Sequence, residues 1–134
     1  WLDELEEVLH TAVFRGHFLR FARREFNSEN LLFWMHACAY ELTHPLSFSP
    51  RPLDDLAAAR LHARCLFERF VREGGPQQVS TSSAVRELVS KRVEDAPPDL
   101  FFILRMLVAR EMRVDQFRRY KATPEYVQLR RCSP

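Results

Sequence analysis

Five histidines and three cysteines are the side chains of this sequence best suited to ligating a metal or acting as a catalytic base or nucleophile. They are His10, His17, His36, His44 and His62, with Cys38, Cys65 and Cys132. They form no HExxH or CxxC pair and no Cys/His cluster, so the spacing that a zinc site requires is missing. Glu6 and His10 are four apart and could share a helix face, but a surface pair is the expected outcome. We therefore predict no metal.

Phosphate-binding and nucleophilic motifs are also missing. Only 3 glycines are present, and neither GxxxxGK[ST] nor GxGxxG occurs. The serine-rich segment 80–83 has no evident base beside it and is typical of a helix N-cap. We therefore expect no active site and no cofactor, which leaves binding as the function to explain.

Length, charge and hydropathy limit the class of protein. The 134 residues are 46% hydrophobic and 28% charged, which predicts one globular domain over 1–134 with a core at about 5–130. Trp1 in place of Met suggests a piece of a longer protein. No apolar run could span a membrane, and the acidic N-terminus lacks the pattern of a signal peptide. With an odd number of cysteines, we expect free thiols and a cytoplasmic location.

Apolar side chains recur mostly at intervals of three and four residues, as on one face of an α-helix. The stripes predict helices over 3–10, Phe14 to Phe26, Ser28–Leu42, Leu53 to Phe70, Val85 to Val93, a segment restarting at Pro97–Pro98, and 114–121. No segment alternates with the period of a strand, so the predicted class is all-α, with about seven to nine helices. The helix after Pro98 has apolar residues around most of its circumference and is expected to be the most buried.

The segment Glu25–Trp34 joins two of these helices. Asn27 or Ser28 could cap the outgoing helix, and Glu29 lies in its first turn, where the helix dipole favours an acid. The predicted inward side of that helix consists of Leu31, Trp34 or Met35, Cys38 and Leu42. His44–Pro45 should end it, because the residue before a proline is biased away from the helical region.

The C-terminal quarter of the chain is basic. Residues 101–134 contain Arg105, Arg110, Arg113, Arg118, Arg119, Lys121, Arg130 and Arg131 against Glu111, Asp115 and Glu125. Arginines solvated on helix faces are the simplest interpretation, and a surface for an acidic partner or for anionic lipid headgroups is the alternative. The net charge of +2 is too small to predict nucleic-acid binding.

Two separated motifs resemble those of a known family. The first is Phe18-x-x-Phe21-x-x-x-Glu25-Phe26-x-x-Glu29-Asn30-Leu31-x-Phe33-Trp34, and the second is Met112-x-x-Asp115-x-Phe117-x-Arg119-Tyr120-x-x-Thr123-x-x-Tyr126. In this order they resemble the signature of RGS domains, the regulators of G-protein signalling. The long helix ending at Phe70 and the Val79–Ser80 loop agree with the same family, and the resemblance covers about residues 5–130.

The resemblance implies a nine-helix bundle that accelerates GTP hydrolysis by the α subunit of a heterotrimeric G protein (Gα), of the inhibitory or Gq class. Gα carries its charge-stabilising arginine in cis, so such a domain need not donate one. It would instead hold the mobile switch segments of Gα in the transition-state arrangement, which is catalysis by differential binding. The expected partner is Gα in its GTP or transition-state form, bound by a monomer at the inner face of the plasma membrane.

By position in the motifs, the resemblance assigns Gα contacts to eight residues. They are Phe26, Glu29, Asn30, Ser80, Glu111, Asp115, Gln116 and Arg119. Asn30 would reach the switch region beside the catalytic glutamine of Gα. Asp115, oriented by Arg119 four residues later, would accept a switch-I backbone hydrogen bond. Outside the motif, Asp115 and Arg119 would be an ordinary surface ion pair worth about 0.3–0.5 kcal/mol, and Asn30 and Ser80 ordinary helix-start residues.

Several features depart from the family pattern. Glu111 stands where an apolar contact is usual, Gln116 replaces a small serine, and Ser80 stands where many members have asparagine. The proline-rich loop 44–52 is longer than usual, on a side expected to lie away from the site. A carboxylate at Glu111 could tune partner choice or abolish binding. A GTPase-activating domain is our prediction; an RGS-homology module that binds without accelerating hydrolysis, and a helical adaptor with a basic lipid-facing end, stay open.

Overall fold

Eight α-helices dominate the computed structural model, which describes residues 3–45 and 50–132. They are α1 (Glu4–His10), α2 (Ala12–Arg24), α3 (Glu29–Thr43), α4 (Leu53–Leu66), α5 (Ser83–Arg92), α6 (Phe102–Val114), α7 (Gln116–Lys121) and α8 (Pro124–Cys132). A π-helical turn, Phe67–Val71, continues α4, and a 3₁₀ turn, Val93–Asp95, continues α5.

The all-α prediction is confirmed, since the described residues contain no strand. The expected nine helices are slightly too many, because near-continuous segments joined together give seven. None of the described helices combines the length and apolar character that crossing a bilayer requires.

An aromatic cluster fastens α2 to the C-terminal helices. The ring centroid of Tyr120 lies 4.9 Å from that of Phe18 and 5.3 Å from that of Phe21, and Phe117 lies 5.7 Å from Phe18. Such aromatic pairs contribute about 0.5–1.5 kcal/mol beyond their buried area. The cluster therefore holds α7, which carries the second motif, against α2, which carries the first.

The central helix, α3, ends at Thr43 before His44–Pro45, as predicted. Its buried side differs from the predicted one and consists of Leu31, Phe33, Trp34, Ala37 and Tyr40. The assignment of Leu42 to the core was wrong, because that side chain is 82% exposed. Two residues correspond to about 200° around a helix, so a buried Tyr40 turns Leu42 towards solvent.

The expectation that the helix after Pro98 is the most buried was also wrong. It begins at Phe102 rather than at the prolines, and it packs against α3 and α7 on one side. Its buried residues are Leu104, Val108, Ala109 and Met112. Phe102, Ile103, Met106 and Leu107 are between 40% and 59% exposed. Apolar residues around a helix allow burial on all sides but do not impose it.

Ion pairs join the N-terminal helix to the basic C-terminal quarter. Five of the eight basic side chains in the C-terminal quarter pair with acids: Arg105, Arg113, Arg119, Lys121 and Arg130. Arg130, for example, lies 2.5 Å from Glu7, and Tyr126 donates a hydrogen bond to Glu4 (3.0 Å). These contacts fix α1 against α8. Residues 46–49 of the proline-rich loop lie outside the described part of the chain.

Candidate protein-binding site

The turn between α2 and α3 ends α2 with a Schellman motif. The Phe26 N–H donates to the Arg23 carbonyl (3.0 Å), and the Asn27 N–H donates to the Ala22 carbonyl (3.0 Å). This motif needs a left-handed residue at the position that Phe26 occupies, with φ +56°. Glycine is the usual residue there, because a side chain in this conformation costs about 1–2 kcal/mol.

Phe26 is therefore held in a strained conformation, and its side chain is 95% exposed. The sequence pattern alone had extended the apolar stripe of α2 from Phe14 to Phe26, but the helix ends at Arg24 and Phe26 projects into solvent. An exposed aromatic ring on a strained backbone stabilises neither the core nor the turn. Strain of this kind is concentrated at functional sites.

A polar network ties this turn to the start of α7. Arg119 donates two hydrogen bonds to the Glu25 carboxylate, each 3.0 Å long, and also pairs with Asp115. Gln116 donates through Nε2 to the Asn27 carbonyl (2.7 Å) and to Glu25 Oε1 (3.3 Å). The network thus joins the two sequence motifs across 94 residues of chain.

The electrostatics of this network favour ionised partners. The hydrogen bonds from Arg119, with a smaller contribution from Gln116, hold the pKa of Glu25 below its ordinary value. The same contact with Glu25 raises the pKa of Arg119. Two carboxylates share one guanidinium here, so the cluster of Glu25, Asp115 and Arg119 carries one net negative charge.

Gln116 lies inside this network rather than on its surface, since only 2% of the residue is exposed. Its Oε1 is buried and has no hydrogen-bond partner among the described residues. A flipped amide would place this oxygen against Glu25 and the Asn27 carbonyl, which are both acceptors, so the orientation is fixed by its neighbours. The side chain acts on the turn and is shielded from a partner.

Glu29 and Asn30 are the first two residues of α3, and both are half-buried. Ser28 occupies the N-cap position, but its side chain makes no capping hydrogen bond, and its backbone is already helical (φ −97°, ψ −5°). Within the described residues the Asn30 amide makes no hydrogen bond either. The free N–H groups at the start of α3 and the Asn30 amide are available to a partner.

Ser80 lies in the segment that connects the π-helical turn to α5, and it is exposed. The N-cap of α5 is Ser82, which accepts a hydrogen bond from the Val85 N–H, so Ser80 is not a cap. This segment is held by Val79, whose buried N–H donates to the Phe70 carbonyl (2.8 Å). Among the described residues no contact joins Ser80 directly to the Glu25–Arg119 network.

The Ser80 segment is linked to α3 by Arg69. Its Nε donates to Gln77 (2.5 Å), and its Nη1 lies 3.4 Å from His36 Nε2 on α3. Neither Arg69 nor Gln77 was identified from the sequence, and neither was Glu25 as a site residue. Glu25 had stood in the first motif, but its role depends on a contact with Arg119 that no local pattern specifies.

Glu111 lies one turn before Asp115 on the exposed side of α6. In the part of the chain that the structure describes, no lysine or arginine pairs with it. The structure therefore places Phe26, Glu29, Asn30, Asp115 and Arg119 on or beside one polar network, and Glu111 is exposed on α6, four residues before Asp115. Gln116 is inside the network, and Ser80 lies in a separate segment that Arg69 links to α3.

Comparison with known protein families gives a match over nearly the whole chain. The family model described as "Regulator of G protein signaling domain" matches residues 4–129. The chain belongs to the RGS family. Its members are regulators of G-protein signalling.

Individual RGS proteins share about a quarter of their aligned residues with this chain. Regulator of G-protein signaling 19 of Rattus norvegicus is 27% identical over 129 residues, which cover 96% of this chain and 55% of the relative. Regulator of G-protein signaling 6 of Homo sapiens is 27% identical over 129 residues, covering 96% of this chain and 25% of the relative. Regulator of G-protein signaling loco of Drosophila melanogaster is 26% identical over 120 residues, which cover 90% of this chain and 7% of the relative. The chain spans about half, or less, of the length of these curated relatives.

Proposed function

We propose that this RGS domain binds Gα and accelerates its GTP hydrolysis. The observation that carries the proposal is the Glu25–Arg119–Asp115 network. It fixes the α2–α3 turn, with the exposed Phe26 and the free N–H groups at the start of α3, beside the exposed carboxylate of Asp115. A surface held this rigidly can select one conformation of mobile segments in a partner. Holding the switch segments of Gα in their transition-state arrangement would lower the barrier without any catalytic group from this chain.

Within this proposal the site residues have distinct roles. Asn30 and Glu29 contact the switch segments from the start of α3, and Phe26 packs against an apolar part of Gα. Asp115 accepts a backbone hydrogen bond from switch I, and Arg119 orients it while holding Glu25. Gln116 positions the turn from inside. Ser80 contributes a contact from the segment before α5.

Single-turnover GTP hydrolysis by Gα, with and without this domain, tests the proposal. Asn30→Ala and Asp115→Ala should each remove most of the acceleration, because the proposal gives both side chains contacts with the switch segments of Gα. Both side chains are exposed or half-buried and support no core packing, so the fold should be unchanged. Arg118→Ala is the matched control: it lies on α7, is exposed, and forms no ion pair within the described residues. Equal acceleration by wild type, Asn30→Ala and Asp115→Ala would show that the site lies elsewhere. Circular dichroism should show unchanged helix content in all three variants.

Glu111 favours a second candidate function, in which the domain binds Gα or another signalling protein without accelerating hydrolysis. Among the described residues this exposed carboxylate, four residues before Asp115, pairs with no lysine or arginine, and a partner with an apolar surface would have to desolvate it. Tight binding to Gα in its transition-state-mimic form without any change in hydrolysis rate would support this candidate. Glu111→Leu should then restore acceleration, whereas under the first candidate it should change partner preference only.

The remaining parts of the proposal concern context. We propose that residues 1–134 are a single domain that acts as a monomer, with Gα of the inhibitory or Gq class at the cytoplasmic face of the plasma membrane. Direct contact with anionic lipid would depend on Arg110, Arg118 and Arg131, since the other five basic side chains of the C-terminal quarter pair with acids. Sedimentation with anionic liposomes, using Arg118→Glu and Arg131→Glu, measures that contact.

A further inference from the structure

Three histidines lie along the contact between α3 and α4. His44 Nε2, at the end of α3, is 3.0 Å from His62 Nδ1 on α4. His36 Nε2, two turns earlier on α3, is 3.4 Å from the Arg69 guanidinium. The ring of Tyr40 packs beside the first pair, with centroids 4.9 Å from His44 and 5.3 Å from His62.

The hydrogen bonds of this cluster limit how many of its imidazoles can be protonated at once. A bond between His44 Nε2 and His62 Nδ1 contains one proton, because one nitrogen must donate and the other accept. Protonating both rings would set two N–H groups and two positive charges against each other. Arg69 can only donate, so His36 Nε2 must accept and cannot carry a proton.

The charged groups around the cluster oppose protonation. Arg51 lies beside His44 and is held there by hydrogen bonds to the Ala96 (2.7 Å) and Asp95 (2.9 Å) carbonyls. Arg69 faces His36. Among the described residues the acid whose charge favours a protonated His44 is Asp55, at the start of α4. Two guanidinium groups thus face one carboxylate.

The other polar groups near the cluster add little charge. The Tyr40 hydroxyl donates to the Pro97 carbonyl (2.9 Å), and burial raises its pKa to about 12, so it stays neutral. Arg92 and Asp99 pair with each other at 2.8 Å. Residues 46–49, which lie outside the described part of the chain, are Leu, Ser, Phe and Ser and have no ionisable side chain.

We propose that the His44–His62 contact, together with His36, is an acid-sensitive fastening between α3 and α4. Burial lowers the pKa of all three imidazoles, and the neighbouring cations lower those of His36 and His44 further. The folded state therefore binds fewer protons than the unfolded state. The contribution of these histidines to the stability of the folded state is fully present above the ordinary histidine pKa of 6.5. It falls as the pH drops from there through the pKa values of the folded state. The fastening is independent of the proposed function and of any Gα partner.

Thermal unfolding between pH 7.5 and 5.5 tests this fastening. The wild type should lose about 5 °C of Tm or more over this range. The double variant His44→Gln with His62→Asn places amide groups near the two bonded ring nitrogens, and neither amide can titrate. Its loss of Tm should therefore be clearly smaller than that of the wild type, with the remainder coming from groups such as His36 and His17 that it retains. His10→Gln, at an exposed position at the end of α1, is the matched control and should follow the wild type. Equal losses in wild type and double variant would overturn the proposal.

Proton NMR titration of the wild type gives an independent test that does not depend on the variants folding. The ring signals of His36, His44 and His62 should titrate below 6.5, and those of His44 and His62 should shift together. His17, whose ring lies 2.5 Å from the Tyr120 hydroxyl, has a pKa lowered by burial and titrates as a separate group. Titration of His36, His44 and His62 at the ordinary value would overturn the proposal.

Discussion

Glu25→Gln should lower the free energy of unfolding by about 1 kcal/mol at neutral pH. The carboxylate accepts two hydrogen bonds from Arg119 (3.0 Å each) and one from Gln116 (3.3 Å). Buried charged hydrogen bonds contribute about 1.5–3 kcal/mol each. The side chains of Arg119 and Glu25 are 45% and 26% exposed, so water screens the pair and the range of about 0.2–1 kcal/mol for exposed pairs applies. The two-pronged geometry places this pair at the top of that range.

The pH dependence separates a charge effect from a packing effect. Because Arg119 holds the pKa of Glu25 below its ordinary value of 4.5, the carboxylate's contribution is present above about that pH. It is lost as the pH falls through the folded-state pKa. The difference between wild type and Glu25→Gln should therefore shrink between pH 7 and acid pH.

Urea unfolding followed by circular dichroism, at neutral and at acid pH, measures the loss of unfolding free energy and its dependence on pH, and thermal unfolding measures the Tm. Glu125→Gln is the control, since Glu125 meets Arg24 only at 4.0 Å and both side chains are about half exposed. It should change stability by less than about 0.5 kcal/mol. At neutral pH the Tm of Glu25→Gln should fall by about 3–5 °C. Equal losses in the two variants, or a Glu25→Gln loss that persists undiminished at acid pH, would refute the reasoning.

Three further substitutions test the backbone. Gly75→Ala should destabilise by about 1–3 kcal/mol, because its Cβ would lie 2.7 Å from the Glu68 carbonyl oxygen. Gly16→Ala, whose Cβ meets nothing within 4 Å inside α2, should stabilise by about 0.5–1 kcal/mol; the opposite sign for either variant in urea unfolding would contradict the geometry. Phe26→Gly should raise stability by about 1 kcal/mol by relieving the left-handed strain while weakening Gα binding. A less stable Phe26→Gly variant would show that the ring packs against the domain.

Helix positions followed from local pattern where the pattern was unambiguous. The phenylalanines of α2 at Phe14, Phe18 and Phe21 stand at helical spacing and are all buried. Pro45 ends α3 through a steric effect on its neighbour, which needs no tertiary information. The N-cap of α5 lies inside the serine-rich segment that was expected to provide it, at Ser82.

Burial could not be read from the sequence where apolar residues surround a helix. Leu42 and Ile103 are apolar and stand within helices, yet they are 82% and 59% exposed. Which side of α3 or α6 is covered depends on where the neighbouring helices lie. The same limit applies to charge, because five of the eight basic side chains of the C-terminal quarter pair with acids, several of which lie far away in sequence, on α1, at its N-cap and in the α2–α3 turn.

The sequence supplied candidate site residues but not the network that joins some of them. The two motifs supplied Asn30, Asp115 and Arg119, and the i, i+4 spacing placed the last two together. The contact of Arg119 with Glu25, and the inward turn of Gln116, depend on tertiary packing of α7 against the α2–α3 turn. A strained Phe26 likewise becomes visible only through its backbone angle.

The rate of a single GTP turnover on Gα, with and without this domain, tests the central claim most directly. We expect an increase of about tenfold or more, equivalent to at least about 1.4 kcal/mol of transition-state stabilisation. The increase should be lost with Arg119→Ala and retained with Arg118→Ala, its neighbour on α7. An unchanged rate at saturating concentrations of correctly folded domain, across Gα of the inhibitory and Gq classes, would contradict the account.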